Sequence, residues 1–249
     1  MRLLILGGTT EASRLAAALA GRTDLRATLS LAGRTTVPAE APLPSRIGGF
    51  GGVDGLASFL KAGEIAAVVD ATHPFAARIS LHAVAACERT GVPLLAYSRD
   101  AWRPGAGDRW IDVAAIAGAV DYLKAQPPRH VFLTTGRLDL AAFLAAGQHR
   151  YLVRTIDPPA PVDRLPGMTL VLGRGPFTAE AETNLMLRHG IDLLVTKNSG
   201  GTASAAKLEA ARGLGLPVLM VARPMLPQRP TVNRLDDVLA WIADHAPPR

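Results

Sequence analysis

Leu3-Leu4-Ile5-Leu6-Gly7-Gly8-Thr9-Thr10-Glu11-Ala12, residues 3–12, is the stretch on which the fold turns. Four consecutive aliphatic residues, rather than an alternation, are what a strand covered on both faces of a parallel sheet requires. The run stops at two glycines, and residues 10–19 then carry Leu15 and Leu19 four apart with alanines between, which reads as a helix. Strand, tight turn and helix N-terminus in that order can cradle a phosphate. Glycines let the backbone come close, and the free N–H groups and dipole of the helix start favour an anion. The match to G-x-G-x-x-G is incomplete, because Thr10 and Ser13 stand where further glycines would. A plain turn capped by Thr9 or Thr10 is the alternative.

The same rhythm continues along the chain. Strands are expected at 26–31, 65–69 and 92–97, with helices at 53–61 and 76–90, the latter stopped by Gly91. Residues 99–112 are rich in Pro, Gly and charge, a helical stretch follows to 124, and Gln126-Pro127-Pro128 closes it. We read 101–128 as a link. The rhythm then restarts, with strands at 130–134, 151–156, 169–172, 191–196 and 218–222 and helices at 138–146, 179–189, 203–214 and 235–245. The expectation is an α/β chain of two Rossmann-like, doubly wound parallel-sheet lobes. Residues 1–100 form a nucleotide-binding lobe and 129–249 a second lobe, and the last helix is free to pack on either.

Composition excludes several classes. The chain has 249 residues, 49% of them hydrophobic and 19% charged, and no uncharged apolar run long enough for a membrane span. The N-terminal run ends at Gly7-Gly8 with no cleavage-like site, so it reads as a buried strand rather than a signal peptide. Cys87 is the one cysteine, set after Val84, Ala85 and Ala86, and reads as core. No disulfide and no metal cluster is expected, and a cytoplasmic location fits. The net charge of +6 is spread over single basic residues without Lys/Arg runs. An acidic small molecule explains it as well as nucleic acid does, and neither nucleic acid nor membrane is expected as a partner.

Ligands of open parallel sheets bind beyond the carboxyl ends of the strands, and three further strand ends look chemical. After the second strand, no acid stands between Asp24 and Glu40, whereas Arg34 is flanked by Thr35 and Thr36. That suits the 2′-phosphate of NADPH better than a free ribose. Asp70-Ala71-Thr72-His73-Pro74-Phe75-Ala76 places a charge directly after Val68-Val69. It is either a helix cap or a contact with the nicotinamide half of a cofactor or the substrate. In the second lobe, Thr196-Lys197-Asn198-Ser199-Gly200-Gly201-Thr202 is a candidate anion loop with its own cation, and Thr134-Thr135-Gly136-Arg137 is its companion. Lysine is rare here (Lys61, Lys124, Lys197 and Lys207), so its position at a strand end carries weight.

Taken in order, Leu6–Ala12, Gly48-Gly49-Phe50-Gly51-Gly52, Asp70–Ala76, Thr134–Arg137 and Thr196–Gly201, followed by Gly215-Leu216-Pro217-Val218 and Arg223-Pro224, resemble the precorrin-6A reductase family over nearly the whole chain. The resemblance implies two Rossmann-like lobes with the active site in the cleft between them, NADPH as reductant, and an anionic tetrapyrrole as substrate. It implies hydride transfer to one ring carbon and a proton added at its neighbour, giving precorrin-6B in cobalamin biosynthesis. On this reading Gly7, Gly8, Thr9, Thr10 and Glu11 hold the pyrophosphate side, and Arg34 and Thr35 the 2′-phosphate. Asp70, Thr72 and Phe75 border the nicotinamide. Thr135, Gly136, Arg137, Asn198, Ser199, Gly200, Gly201 and Thr202 take substrate carboxylates. His73 and Lys197 are the candidate proton donors. The alternatives are a cobalt-precorrin-6A reductase and a non-catalytic NADPH sensor. An extended-Rossmann reductase would need Tyr-x-x-x-Lys, but Tyr97, Tyr122 and Tyr151 are followed four residues on by Ala101, Gln126 and Thr155.

Overall fold

A computed structural model describes residues 1–33 and 42–246. The chain forms two compact units, Met1–Asp100 with the chain from Met225 onward, and Ala101–Pro224. Both carry one parallel six-stranded sheet with helices, the α/β class expected.

The first unit runs β1 (Arg2–Leu6), α1 (Thr10–Leu19), β2 (Arg26–Leu31), β3 (Ser45–Ile47), α2 (Gly52–Ala62), β4 (Ala67–Asp70), α3 (Ala77–Thr90) and β5 (Leu94–Tyr97). The second runs β6 (Arg109–Val113), α4 (Ile116–Lys124), β7 (His130–Leu133), a 3-10 helix (Arg137–Ala146), β8 (Arg150–Thr155), β9 (Thr169–Leu172), α5 (Ala179–Arg188), β10 (Leu193–Lys197), α6 (Ala206–Gly213) and β11 (Pro217–Val221). The chain then returns to the first unit with β12 (Thr231–Val232) and α7 (Leu235–Asp244).

The sheet orders are β3-β2-β1-β4-β5-β12 and β9-β8-β7-β10-β11-β6. Each is the doubly wound order 3-2-1-4-5-6, and in each the sixth place is filled by a strand from outside the continuous βα run. Residues 101–128, expected as a link, thus supply β6 and α4 to the second unit. Residues beyond Met225, expected with the second lobe except for the last helix, free to pack on either, close the first sheet through Thr231↔Ala96 and Val232↔Tyr97. These edge strands are short or half-exposed, so their sequences lack the apolar run that marks a central strand.

The alternation of side chains along β1 explains its unbroken apolar run. Leu3 and Ile5 pack with Leu15 and Leu19 of α1 and Val238 and Ile242 of α7. Leu4 and Leu6 pack on the other face with Leu56 and Leu60 of α2 and Ala83, Ala86 and Cys87 of α3. Burial, with Asp70 and Glu88 adding to it, pushes the Cys87 thiol up to about 12, which suits a core residue and not a nucleophile. In the second unit Phe132, Leu194, Val218 and Met220 meet Met186 of α5 and Leu208 and Ala211 of α6. The helix expected at 138–146 forms 3-10 turns over Arg137–Ala146 instead of an α-helix. Among the described residues no helix is long and apolar enough to cross a membrane.

Candidate functional site

In each sheet the strand order reverses once, between β1 and β4 and between β7 and β10. Such switch points open a crevice beyond the carboxyl ends of the two strands. Four of the motifs singled out in the sequence lie at these two points.

At the first switch point Thr9 is the N-cap of α1, and its hydroxyl accepts from the Ala12 amide at 3.2 Å. The same hydroxyl donates to the Ala71 carbonyl at 2.7 Å, so one side chain ties the turn after β1 to the turn after β4. Gly7 donates to the Ser30 carbonyl at 2.9 Å. A Cβ on Gly7 would lie 2.6 Å from Leu29 Cδ1 and 3.2 Å from the Cβ of Ala12, so a larger residue here must push back the Leu29 side chain where β1, α1 and β2 pack. Gly7→Ala is therefore expected to cost about 1–3 kcal/mol by overpacking, measurable by urea unfolding. A variant as stable as the parent would show that Leu29 gives way freely. Gly8 differs: its φ is +112° and nothing lies within 4 Å of the space a Cβ would fill. Exposed Gly8 and Thr10 border the start of a ten-residue helix, whose first amides lack intrahelical acceptors. This arrangement fits a pyrophosphate. Glu11 is turned to another use, pairing with Arg99 at 3.1 Å.

The turn after β4 is organised by Asp70, 2% exposed. Its Oδ1 accepts from the Thr72 amide at 3.1 Å and the Thr72 hydroxyl at 2.6 Å. Its Oδ2 accepts from Ser80 at 2.6 Å and pairs with Arg229 at 3.0 Å. Both oxygens are thus engaged inside the protein, and Asp70 acts as the anchor of the turn rather than presenting itself outward. His73 and Phe75 follow, half-buried. The Phe75 amide donates to His73 Nδ1 at 3.2 Å, which leaves the proton of the neutral ring on Nε2.

At the next strand end, Arg46 of β3 donates from Nη1 to Ser30 Oγ at 2.8 Å and to the Gly48 carbonyl at 3.0 Å. Its Nη2 donates to the Gly49 carbonyl at 3.0 Å, and the guanidinium carbon lies 4.0 Å from the centre of the Phe50 ring. Arg34 and Thr35 lie outside the described residues.

At the second switch point Lys197 ends β10, and its ammonium pairs with Asp139 of the 3-10 helix that follows β7. An ion pair therefore joins the two sides, as Thr9 does in the first unit. The Lys197–Asp139 pair is mostly shielded from water, at 17% and 21% side-chain exposure, where a charge pair is less screened than at the surface. Asn198 closes a two-bond ring with Trp102, accepting from its amide at 2.8 Å and donating to its carbonyl at 3.0 Å. Trp102 Nε1 donates to the Gly201 carbonyl at 2.9 Å, and Arg223 donates to the carbonyls of Asn198 at 2.9 Å and Ser199 at 3.1 Å. Gly200 and Gly201 both take positive φ, and Thr202 is exposed. Thr135 is buried with a hydroxyl that has no hydrogen-bond partner among the described residues, and half-buried Gly136 and Arg137 follow it.

The structure thus brings Gly7, Gly8, Thr9 and Thr10 beside Ala71 and the 72–75 turn. Separately, it brings Lys197 to the 3-10 helix that begins at Arg137. It turns Asp70, Glu11 and Asn198 to internal partners. Residues that support these turns and that sequence reasoning left without a role are Ser80, Arg99, Trp102, Asp139 and Arg229, together with Arg46. Ser80 sits inside a helix, Arg99 opens the Pro/Gly-rich stretch, Asp139 follows two residues after the Thr134–Arg137 motif, and Arg229 is a single arginine in a Pro-rich stretch. Apart from Arg46, which also holds the nearby carbonyls of Gly48 and Gly49, each acts through a partner at least ten residues away in the chain.

With this geometry in view, the chain can be set beside known proteins. The family described as "Precorrin-6x reductase CbiJ/CobK" matches residues 2–243. A precorrin-6A reductase from Rhodobacter capsulatus is 51% identical over 249 residues, covering 100% of this chain and 98% of that protein. A cobalt-precorrin-6A reductase from Priestia megaterium is 29% identical over 249 residues, covering 95% of this chain and 96% of that protein. A solved structure described as CobK precorrin-6A reductase superposes with a TM-score of 0.91 at 50% identity, covering 100% of this chain and 99% of that one.

Proposed function

The chain belongs to the precorrin-6x reductase family, and from that premise we propose that it uses NADPH at the first switch point and holds substrate carboxylates at the second. It is an oxidoreductase of cobalamin biosynthesis that reduces precorrin-6A. The observation that carries the cofactor reading is the β1–α1 turn. It joins an open Gly8, a capped ten-residue helix and the Thr9 bond to the β4 turn at the point where the sheet order reverses. NADPH, when bound, supplies the hydride. Gly7 lets the turn pack close, while Gly8, Thr9 and Thr10 hold the pyrophosphate through backbone amides and a hydroxyl. Thr72, His73 and Phe75, set by Asp70, border the nicotinamide.

Arg137 and the loop from Lys197 to Thr202 meet the acetate and propionate groups of the tetrapyrrole. Their positive field also favours negative charge developing on the ring. Lys197 Nζ, held by Asp139, and His73 Nε2–H are the candidate proton donors at these strand ends. Greater identity to the relative named for the metal-free substrate than to the one named for cobalt-precorrin-6A supports precorrin-6A as the substrate.

The test is NADPH oxidation by the purified protein with and without precorrin-6A, followed together with the visible spectrum of the pigment. Substrate-dependent oxidation with a matching pigment shift is expected. Tight NADPH binding with no turnover on either the metal-free or the cobalt-containing substrate would replace this reading with a cofactor sensor.

A further inference from the structure

The geometry points to Arg46, with Ser30, as a group that recognises the 2′-phosphate of NADPH, in addition to the Arg34 expected from the sequence, and makes the chain prefer it to NADH. This rests on the cofactor reading above and adds a specificity-determining residue to it.

Ser30 and Arg46 are register partners on β2 and β3, so their side chains leave the same face of the sheet. Ser30 is also tied to the phosphate turn directly, since its carbonyl accepts from the Gly7 amide at 2.9 Å. The pair therefore lies one and two strands from β1, about 5–10 Å at the usual strand spacing. In doubly wound folds the adenosine ribose is read at the end of the second strand, by an acid for a free 2′-hydroxyl and by an arginine for a 2′-phosphate.

The charge at this corner is of the second kind. Arg46 bonds to a hydroxyl and two backbone carbonyls, all neutral, so these contacts fix the guanidinium without cancelling its charge. Among the described residues these three bonds leave two of its five N–H donors for a ligand. The Phe50 ring beneath holds the plane of the guanidinium and shields one side from water. Arg46 is half-buried, and Gly48 and Gly49, whose carbonyls it holds, begin the Gly-Gly-Phe-Gly-Gly turn. The turn thus gains a role that the family resemblance left unexplained: it sets the guanidinium at the strand end.

The test measures dissociation constants of NADPH, NADH and the nicotinamide-free probes 2′,5′-ADP and 5′-AMP for the full chain and for Arg46→Met, which keeps the aliphatic stem over Phe50. The expected result is NADPH and 2′,5′-ADP weakened at least about tenfold, as for loss of a charge-assisted bond. NADH and 5′-AMP should change less than about threefold on the same scale. Arg46→Lys, which keeps the charge but loses the fork, should fall between. Equal weakening of phosphorylated and unphosphorylated ligands would overturn the proposal and leave Arg46 as a support of the turn. Should Arg46→Met fail to fold, Ser30→Ala removes only the hydroxyl that holds the guanidinium. It too must lower the NADPH to NADH preference, and an unchanged ratio overturns the proposal. A parent protein that binds neither dinucleotide, or binds them equally, defeats the NADPH reading itself before any variant is compared.

Discussion

Arg229→Met is expected to lower the stability of the first unit by about 3–5 kcal/mol, the usual cost of removing one partner of a buried ion pair. Asp70 is 2% exposed and the Arg229 side chain 13%, so water does little to screen the pair. Thr72 and Ser80 would still donate to the carboxylate, but no cation would balance it. The loss should fall on two features at once. The turn bearing Thr72, His73 and Phe75 loses the cation beside its anchor, and the segment leading into β12 loses its tie to β4. Urea unfolding followed by circular dichroism measures the change. The double variant Asp70→Asn with Arg229→Met removes both charges and should recover most of the loss, because an unpaired buried charge costs more than a missing pair. A loss below about 1 kcal/mol for the single variant would place this pair in the class of solvated surface bridges and contradict the burial described here.

Lys197→Ala is expected to lower turnover on precorrin-6A by about a hundredfold or more, the range for a general acid or for a preorganised charge beside the reacting ring. NADPH affinity should stay near that of the parent, since Lys197 is assigned to the substrate. Lys197 ends a central strand, and its ammonium is oriented by Asp139. Asp139→Asn should therefore show a smaller loss in the same direction. His73→Ala provides the comparison. If it costs as much as Lys197→Ala, both groups serve the reaction. If each keeps near-normal turnover, neither is the acid and the proton comes from solvent or a substrate carboxyl. A purely structural Lys197 would instead change the melting temperature without changing the rate per folded molecule.

How much of this was legible in the sequence follows from the range over which each feature is encoded. The central strands β1, β4, β7 and β10 are covered on both faces, so each writes its place as a local apolar run, and the turn that follows each stands out by its Gly, Thr, Asp or Lys. Fold class, the strand ends worth examining and the core role of Cys87 were therefore set by sequence alone. The edge strands β6 and β12 are different, the first half-exposed and the second only two residues long, and they exist as strands because β11 and β5 offer unpaired backbone. Nothing local announces them, which is why 101–128 read as a link and the chain from Met225 up to the last helix as part of the second lobe. Side-chain roles divide the same way. That α1 is capped by a threonine is written in four consecutive residues, while the choice of Thr9 over Thr10 is seen only in the structure. That Asp70 faces inward is decided by Arg229, that Asn198 is consumed by Trp102, and that Lys197 is met by Asp139. These partners are brought within bonding distance only by the winding of the sheets, because hydrogen bonds and ion pairs act over a few ångströms of space whatever the separation along the chain.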